Sequence, residues 1–107
     1  MNQNKILCQV GLAMKASFVQ SGEFCTEKAI KSGIASLVIV SSEASENTKK
    51  KFTNMCNYYH VPIRFYGTKA DMGHCIGKEI RATIAITDAG FSKSILKKFD
   101  SINEMEE

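Results

Sequence analysis

The chain has 107 residues, 44% of them apolar and 23% charged, with a formal net charge of +3. That length sets one domain with its own core, and that composition excludes wholesale disorder. Phe99 to Glu107 holds four acids and no Lys or Arg, so residues 1–98 hold 14 basic and 7 acidic side chains. A body this basic steers toward phosphate-rich partners, although such a surplus is not specific to them. No apolar run approaches membrane-spanning length and nothing resembles a signal peptide, so a cytoplasmic protein is expected.

Leu7, Val10 and Met14, spaced i, i+3, i+7, predict a first helix over Asn4 to Ala16. A short strand at Phe18-Val19 leads to Gly22, which opens a second helix closed by Gly33. The run Leu37-Val38-Ile39-Val40 reads as a buried strand. Ser45 is a candidate N-cap for a third helix whose stripe is Phe52, Met55, Cys56 and Tyr59. The only proline, Pro62, stands at the entry to a strand Ile63–Tyr66, where a missing N–H does least harm.

Thr68 and Asp71 resemble a capping box for a short fourth helix carrying Met72, Cys75 and Ile76, with Gly77 as its stop. Lys78-Glu79-Ile80-Arg81 then makes a tight loop before a strand Thr83–Thr87. A last helix carries Phe91, Ile95, Leu96 and Phe99. The alternation predicts an α/β fold, a three-layer α/β/α sandwich around a mixed four-stranded sheet. Residues 1–100 form the expected domain, and residues 101–107 an acidic tail.

The chemistry of catalysis and metal binding is not apparent. Cys8, Cys25, Cys56 and Cys75 are far apart with no C-x-x-C pair, and each falls at an apolar helical position. They are expected as reduced thiols. His60 and His74 adjoin no recognisable nucleophile motif, and adjacent His74 and Cys75 point about 100° apart on a helix. Asp88 after the last strand suits a cap better than a catalytic acid. No enzyme activity, cofactor or metal is expected, and a monomer is the default.

The Gly22 helix carries a different signal. Glycine-led helix starts present backbone N–H groups to anions. Phe24, Lys28 and Lys31, at i, i+4 and i+7, place an aromatic and two cations on one face, which suits nucleic acid. A plainer reading makes Phe24 a core residue and Glu27–Lys31 an ordinary exposed ion pair. The run Lys49-Lys50-Lys51 fans around its helix, so it reads as a solvated face.

Read in order, several segments resemble one family. They are Val10-Gly11-Leu12-Ala13-Met14-Lys15-Ala16, Ser21-Gly22-Glu23, Lys28-Ala29-Ile30, Gly33, Ser45 to Lys51, Cys56-Asn57-Tyr58-Tyr59, Ile76-Gly77-Lys78-Glu79 and Thr87-Asp88-Ala89-Gly90-Phe91. Together they are similar to the kink-turn-binding ribosomal-protein superfamily of L-seven-Ae and L-thirty-e, in its bacterial YlxQ-type branch. The resemblance covers roughly Cys8 to Lys98. It implies an α/β/α sandwich that binds structured RNA, ribosomal RNA being one candidate, at a sharp bend flanked by sheared G·A pairs.

By this resemblance a helix start with the pattern G-x-N-E-x-x-K enters the RNA groove, and a second loop covers a flipped-out base. Gly22, Glu23, Phe24, Cys25, Lys28 and Lys31 then belong to the first element, and Gly77, Lys78, Glu79, Ile80 and Arg81 to the second. Ile80 would be the apolar cover, with Lys78 and Arg81 on phosphates. The pattern's Asn and Glu fall on Phe24 and Cys25, which cannot reproduce their polar readout of guanine edges. Two functions follow: an RNA-binding protein relying on shape and electrostatics, or a protein-interaction adaptor with a decayed RNA site.

Overall fold

In the computed structural model, residues 4–106 are described. Five helices and four strands alternate: α1 (Asn4–Lys15), β1 (Val19–Ser21), α2 (Glu23–Lys31), β2 (Leu37–Val40), α3 (Glu46–Tyr59), β3 (Ile63–Phe65), α4 (Lys69–His74), β4 (Thr83–Ile86) and α5 (Ala89–Glu106). The sheet order is β1-β4-β2-β3, with β2 and β3 parallel and the other two pairings antiparallel. The expected mixed four-stranded α/β/α sandwich is present.

The central strands β2 and β4 are buried at every residue, because helices cover both faces. Leu37, Ile39, Ile84 and Ile86 face a core completed by Ile6, Val10, Met72 and Ile95 from α1, α4 and α5. Val38, Val40 and Ala85 face the opposite core, with Ile30 from α2 and Phe52 and Cys56 from α3. Alternation at period two along each strand therefore builds both cores at once.

Side-chain caps fall where the composition placed them. Ser45 accepts from the Thr48 N–H at 3.1 Å, Thr68 from the Asp71 N–H at 2.9 Å, and Asp88 from the Phe91 N–H at 2.9 Å. Regular α4 ends at His74, earlier than expected, but the chain turns on to Gly77. There the Gly77 N–H donates to the His74 carbonyl and the Lys78 N–H to the Gly73 carbonyl, the two bonds of a Schellman stop.

Three expectations need correction. The buried stripe of α1 is Ile6, Val10 and Ala13, while Leu7 and Met14 sit half-buried on its flank. The first strand lies later, at Val19–Ser21, because Ser17 takes a left-handed φ of 69° and Phe18 still bonds back to the Ala13 carbonyl. Not every thiol is apolar filling: Cys8 is exposed, Cys25 and Cys75 are half-buried, and only Cys56 is in a core.

All four thiols are free, and burial pushes Cys56 and Cys75 up to about 11. At pH 8 a maleimide is therefore expected to label Cys8 and Cys25 in the native protein, and Cys56 and Cys75 only after denaturation. Peptide mapping by mass spectrometry checks this; rapid native labelling of Cys56 would contradict its place in the core.

Candidate nucleic-acid interface

The register makes β1, β2 and β3 run in one direction and β4 in the other. Their connections into α2, α3 and α4 therefore gather at one end of the sheet, where the 75–82 segment also enters β4. Both candidate elements stand at this end.

Gly22 starts α2 with φ 89° and ψ 158°, a backbone conformation that side chains resist. Its N–H donates to the Thr83 carbonyl at 3.0 Å, which ties the helix start to β4. The first intrahelical bond runs from the Thr26 N–H to the Gly22 carbonyl at 2.9 Å, and no side chain caps the start. The amides of Glu23, Phe24 and Cys25 thus lead the helix as the donors a helix start offers to an anion. Beneath them Thr26 and Thr83, both fully buried, share a hydrogen bond of 3.1 Å that locks α2 to the sheet.

Phe24 is 78% exposed, so the core reading of this residue is excluded. Lys28 is exposed beside it and makes no ion pair among the described residues. Lys31 is less free: its ammonium lies 2.8 Å from Glu27, which also holds Lys51 at 3.0 Å. Hydrogen bonds from Lys31 and Lys51 hold the Glu27 carboxyl below its usual range, and Glu27 raises Lys31 in return. The plain reading of that pair and the cationic face therefore coexist. Glu23 accepts from the Thr48 hydroxyl at 3.1 Å, and that hydroxyl accepts from Ser45, so a chain of polar contacts joins the starts of α2 and α3.

In the second element Lys78, Glu79 and Ile80 are exposed, Ile80 at 59%. Arg81 is half-buried, and it bridges the two elements. Its Nε donates to the Ser21 hydroxyl at 3.1 Å and one terminal nitrogen to the Ile80 carbonyl at 2.7 Å. Its backbone N–H donates to the Lys69 carbonyl at 3.1 Å. Arg81 thereby fixes the loop against the strand that precedes Gly22.

Gly73 went unnoticed in the sequence and shapes this surface from below. A Cβ there would stand 2.7 Å from the Glu79 carbonyl and 2.8 Å from the Ile80 nitrogen. The loop rests directly on the bare backbone of α4. A glycine inside a short helix was the available signal, since glycine is costly there without a packing reason. Ser21 and Thr48 entered the sequence reading only inside segments of family resemblance, with no contact assigned to either.

Among the described residues no group of His, Cys, Asp and Glu converges as a metal site, and no helix is long and apolar enough to cross a membrane. The α/β/α sandwich thus sets an uncapped helix start beside a partly basic loop pinned by Arg81.

Comparison with known proteins gives this arrangement its family. Residues 4–96 match the model of the Ribosomal protein L7Ae/L30e/S12e/Gadd45 family. The chain is 43% identical over 91 residues to the RNA-binding protein YlxQ of Bacillus subtilis, covering 85% of this chain and 91% of that one. It is 39% identical over 92 residues to the protein of the same name from Enterococcus faecium, covering 86% and 88%. A solved structure of a Bacillus halodurans protein of unknown function superposes with a TM-score of 0.87 at 38% identity, covering 90% of this chain and 97% of that one. This chain belongs to the L7Ae/L30e/S12e/Gadd45 family, in company with the YlxQ proteins.

Proposed function

We propose that this protein binds structured RNA at a kinked helix, through the start of α2 and the Gly77–Arg81 loop. Its relatives are named as RNA-binding proteins, which supports the class of ligand. The observation that carries the reading is the Arg81–Ser21 hydrogen bond. It joins residues 60 positions apart and supports taking the uncapped helix start and the loop as one surface.

On that surface the amides of Glu23, Phe24 and Cys25 receive phosphate, Lys28 reaches a phosphate or a guanine acceptor, and Phe24 offers a stacking face. Ile80 covers an unstacked base while Lys78 meets the backbone beside it. With the Asn–Glu pair replaced, shape and electrostatics carry most of the affinity, as is common for structured RNA. The working unit is a cytoplasmic monomer whose domain is residues 1–100, acting on a ribosomal or other translation-associated RNA.

The test is a titration at fixed salt with two RNAs of equal length, one kinked, the other with both sheared G·A pairs made Watson–Crick. Preference for the kinked RNA by tenfold or more, about 1.4 kcal/mol, is expected. Equal affinity would reduce the function to general electrostatic attachment. Lys28→Ala should weaken kinked-RNA binding with an unchanged melting temperature, and affinity should fall steeply as salt rises.

The adaptor reading draws on one observation, the exposed Phe24, which would serve a protein partner equally as an apolar anchor. Nuclease treatment separates the two: it removes co-purifying partners held through RNA and leaves those held by protein.

A further inference from the structure

The outer face of α2 carries exposed apolar surface that reaches beyond the helix start at Gly22. Phe24 is 78% exposed, and Ile34, just past the end of α2, is 51% exposed. Two hollows share the ridge formed by Phe24, Lys28 and Ser32, which repeat at i, i+4 and i+8. One, of about 450 Å³, extends to Glu27 and Lys31. The other, of about 260 Å³, reaches the edge strand β1 at Gln20 and is lined further by Cys25, Ala29 and Ile34.

The charges on this face favour an anion. Among the described residues Lys28 is the only charged group lining the second hollow, which it shares with the two exposed apolar residues Phe24 and Ile34. In the first hollow Glu27 is already neutralised by Lys31 and Lys51, at 2.8 and 3.0 Å. Exposed pairs of this kind are weak, so a phosphate can draw Lys31 away from Glu27 at small cost. An aromatic and two lysines along α2, with an aliphatic side chain just past its end, match the needs of a flexible strand. Bases stack on the flat apolar groups, and phosphates meet the cations between them.

We propose that this face is a second contact surface, for a short single-stranded RNA segment flanking the kinked helix. The strand leaves the helix start at Gly22 and runs along α2. One base lies on Phe24 and a later one against Ile34, with a phosphate between them at Lys28, and Lys31 flanking it from the first hollow. The proposal rests on the kinked-RNA reading and extends it from the bend to its flanking strand. Because every base has a stacking face, the segment is bound with little sequence preference.

The experiment compares a blunt kinked RNA with the same RNA carrying a four-nucleotide uridine tail on either strand, each tail containing 4-thiouridine. One tailed RNA is expected to bind about tenfold more tightly than the blunt form. Its crosslinks should fall on the tryptic peptides holding Phe24 and Ile34. Ile34→Ser, at an exposed position outside the kinked-RNA surface, should abolish that gain and leave blunt-RNA affinity and the melting temperature unchanged. Equal binding of blunt and tailed RNAs, or crosslinks elsewhere, would overturn the strand surface while leaving the kinked-RNA reading intact. If no kinked RNA binds, that reading fails by itself and the thiouridine oligonucleotide alone decides. Crosslinks on the same two peptides then keep the strand surface, and their absence removes it.

Discussion

Gly73→Ala is expected to lower affinity for kinked RNA at least tenfold and to destabilise the protein at the same time. The new methyl group would stand 2.7 Å from the Glu79 carbonyl carbon and oxygen and 2.8 Å from the Ile80 nitrogen. These are backbone atoms, so no side chain can swing aside to relieve the contact. Either the loop lifts from α4 or α4 shifts within its core, where Met72 is fully buried beside Gly73. Overpacking of this kind costs about 1–3 kcal/mol.

Lifting the loop is the cheaper response, because Lys78, Glu79 and Ile80 are exposed. It carries Ile80 and Lys78 away from the base and phosphate they would meet, and it strains the Arg81–Ser21 bond. Thermal melting together with RNA titration reads both effects. Ile80→Ala is the matched control, since it removes the apolar cover without moving backbone and should lower affinity with little change in melting. A Gly73→Ala protein that melts and binds like the parent would mean that the close approach does not constrain the loop.

The elements of the fold were legible where a residue's local chemistry decides its conformation. Ser45, Thr68 and Asp88 cap helices because their short side chains reach the free amides of the first turn. Leu37–Val40 is buried on both faces, so its continuous apolar run sufficed to mark it as a buried strand. The phase of α1 was not legible in the same way. Leu7, Val10 and Met14 satisfy helical spacing as well as Ile6, Val10 and Ala13 do. Packing of α1 against α5 selects the second set, and that choice is made by tertiary contact.

The candidate site divides along the same line. The glycine-led helix start and the loop after Gly77 were each readable from local pattern. Their union was not, because it depends on Arg81 meeting Ser21 across the sheet end and on a loop resting on Gly73. Phe24 shows the limit most plainly. A phenylalanine on a helix can face inward or outward, and its own neighbours in sequence do not decide. Here Thr26, Ala29 and Ile30 take the buried side of α2, which leaves Phe24 in solvent.

The exposure of Phe24 also makes a gain of function the sharpest test of how this surface reads RNA. Phe24→Asn combined with Cys25→Glu is expected to raise the preference for kinked over Watson–Crick RNA by tenfold or more. The two positions lie in the first turn of α2, where the backbone is already held by the Gly22–Thr83 and Thr26–Thr83 hydrogen bonds. New side chains there meet a fixed scaffold. Phe24 is exposed and Cys25 half-buried, so neither replacement empties or overfills a core. A carboxylate at position 25 also sits within the first turn, where the helix dipole favours negative charge.

Each good polar contact to a base edge contributes about 1–3 kcal/mol of discrimination. Two such contacts should therefore outweigh the loss of a stacking face at Phe24, which is worth a similar amount per base but discriminates little. The expected signature is selective. Affinity for the kinked RNA rises, while affinity for the Watson–Crick control falls, because stacking on Phe24 and part of the positive surface potential are lost together. Parallel titrations of parent and double variant against both RNAs read the ratio directly. A ratio unchanged by the double substitution would mean that RNA does not approach the start of α2 in the orientation proposed, and the contact surface would then have to be sought on another face.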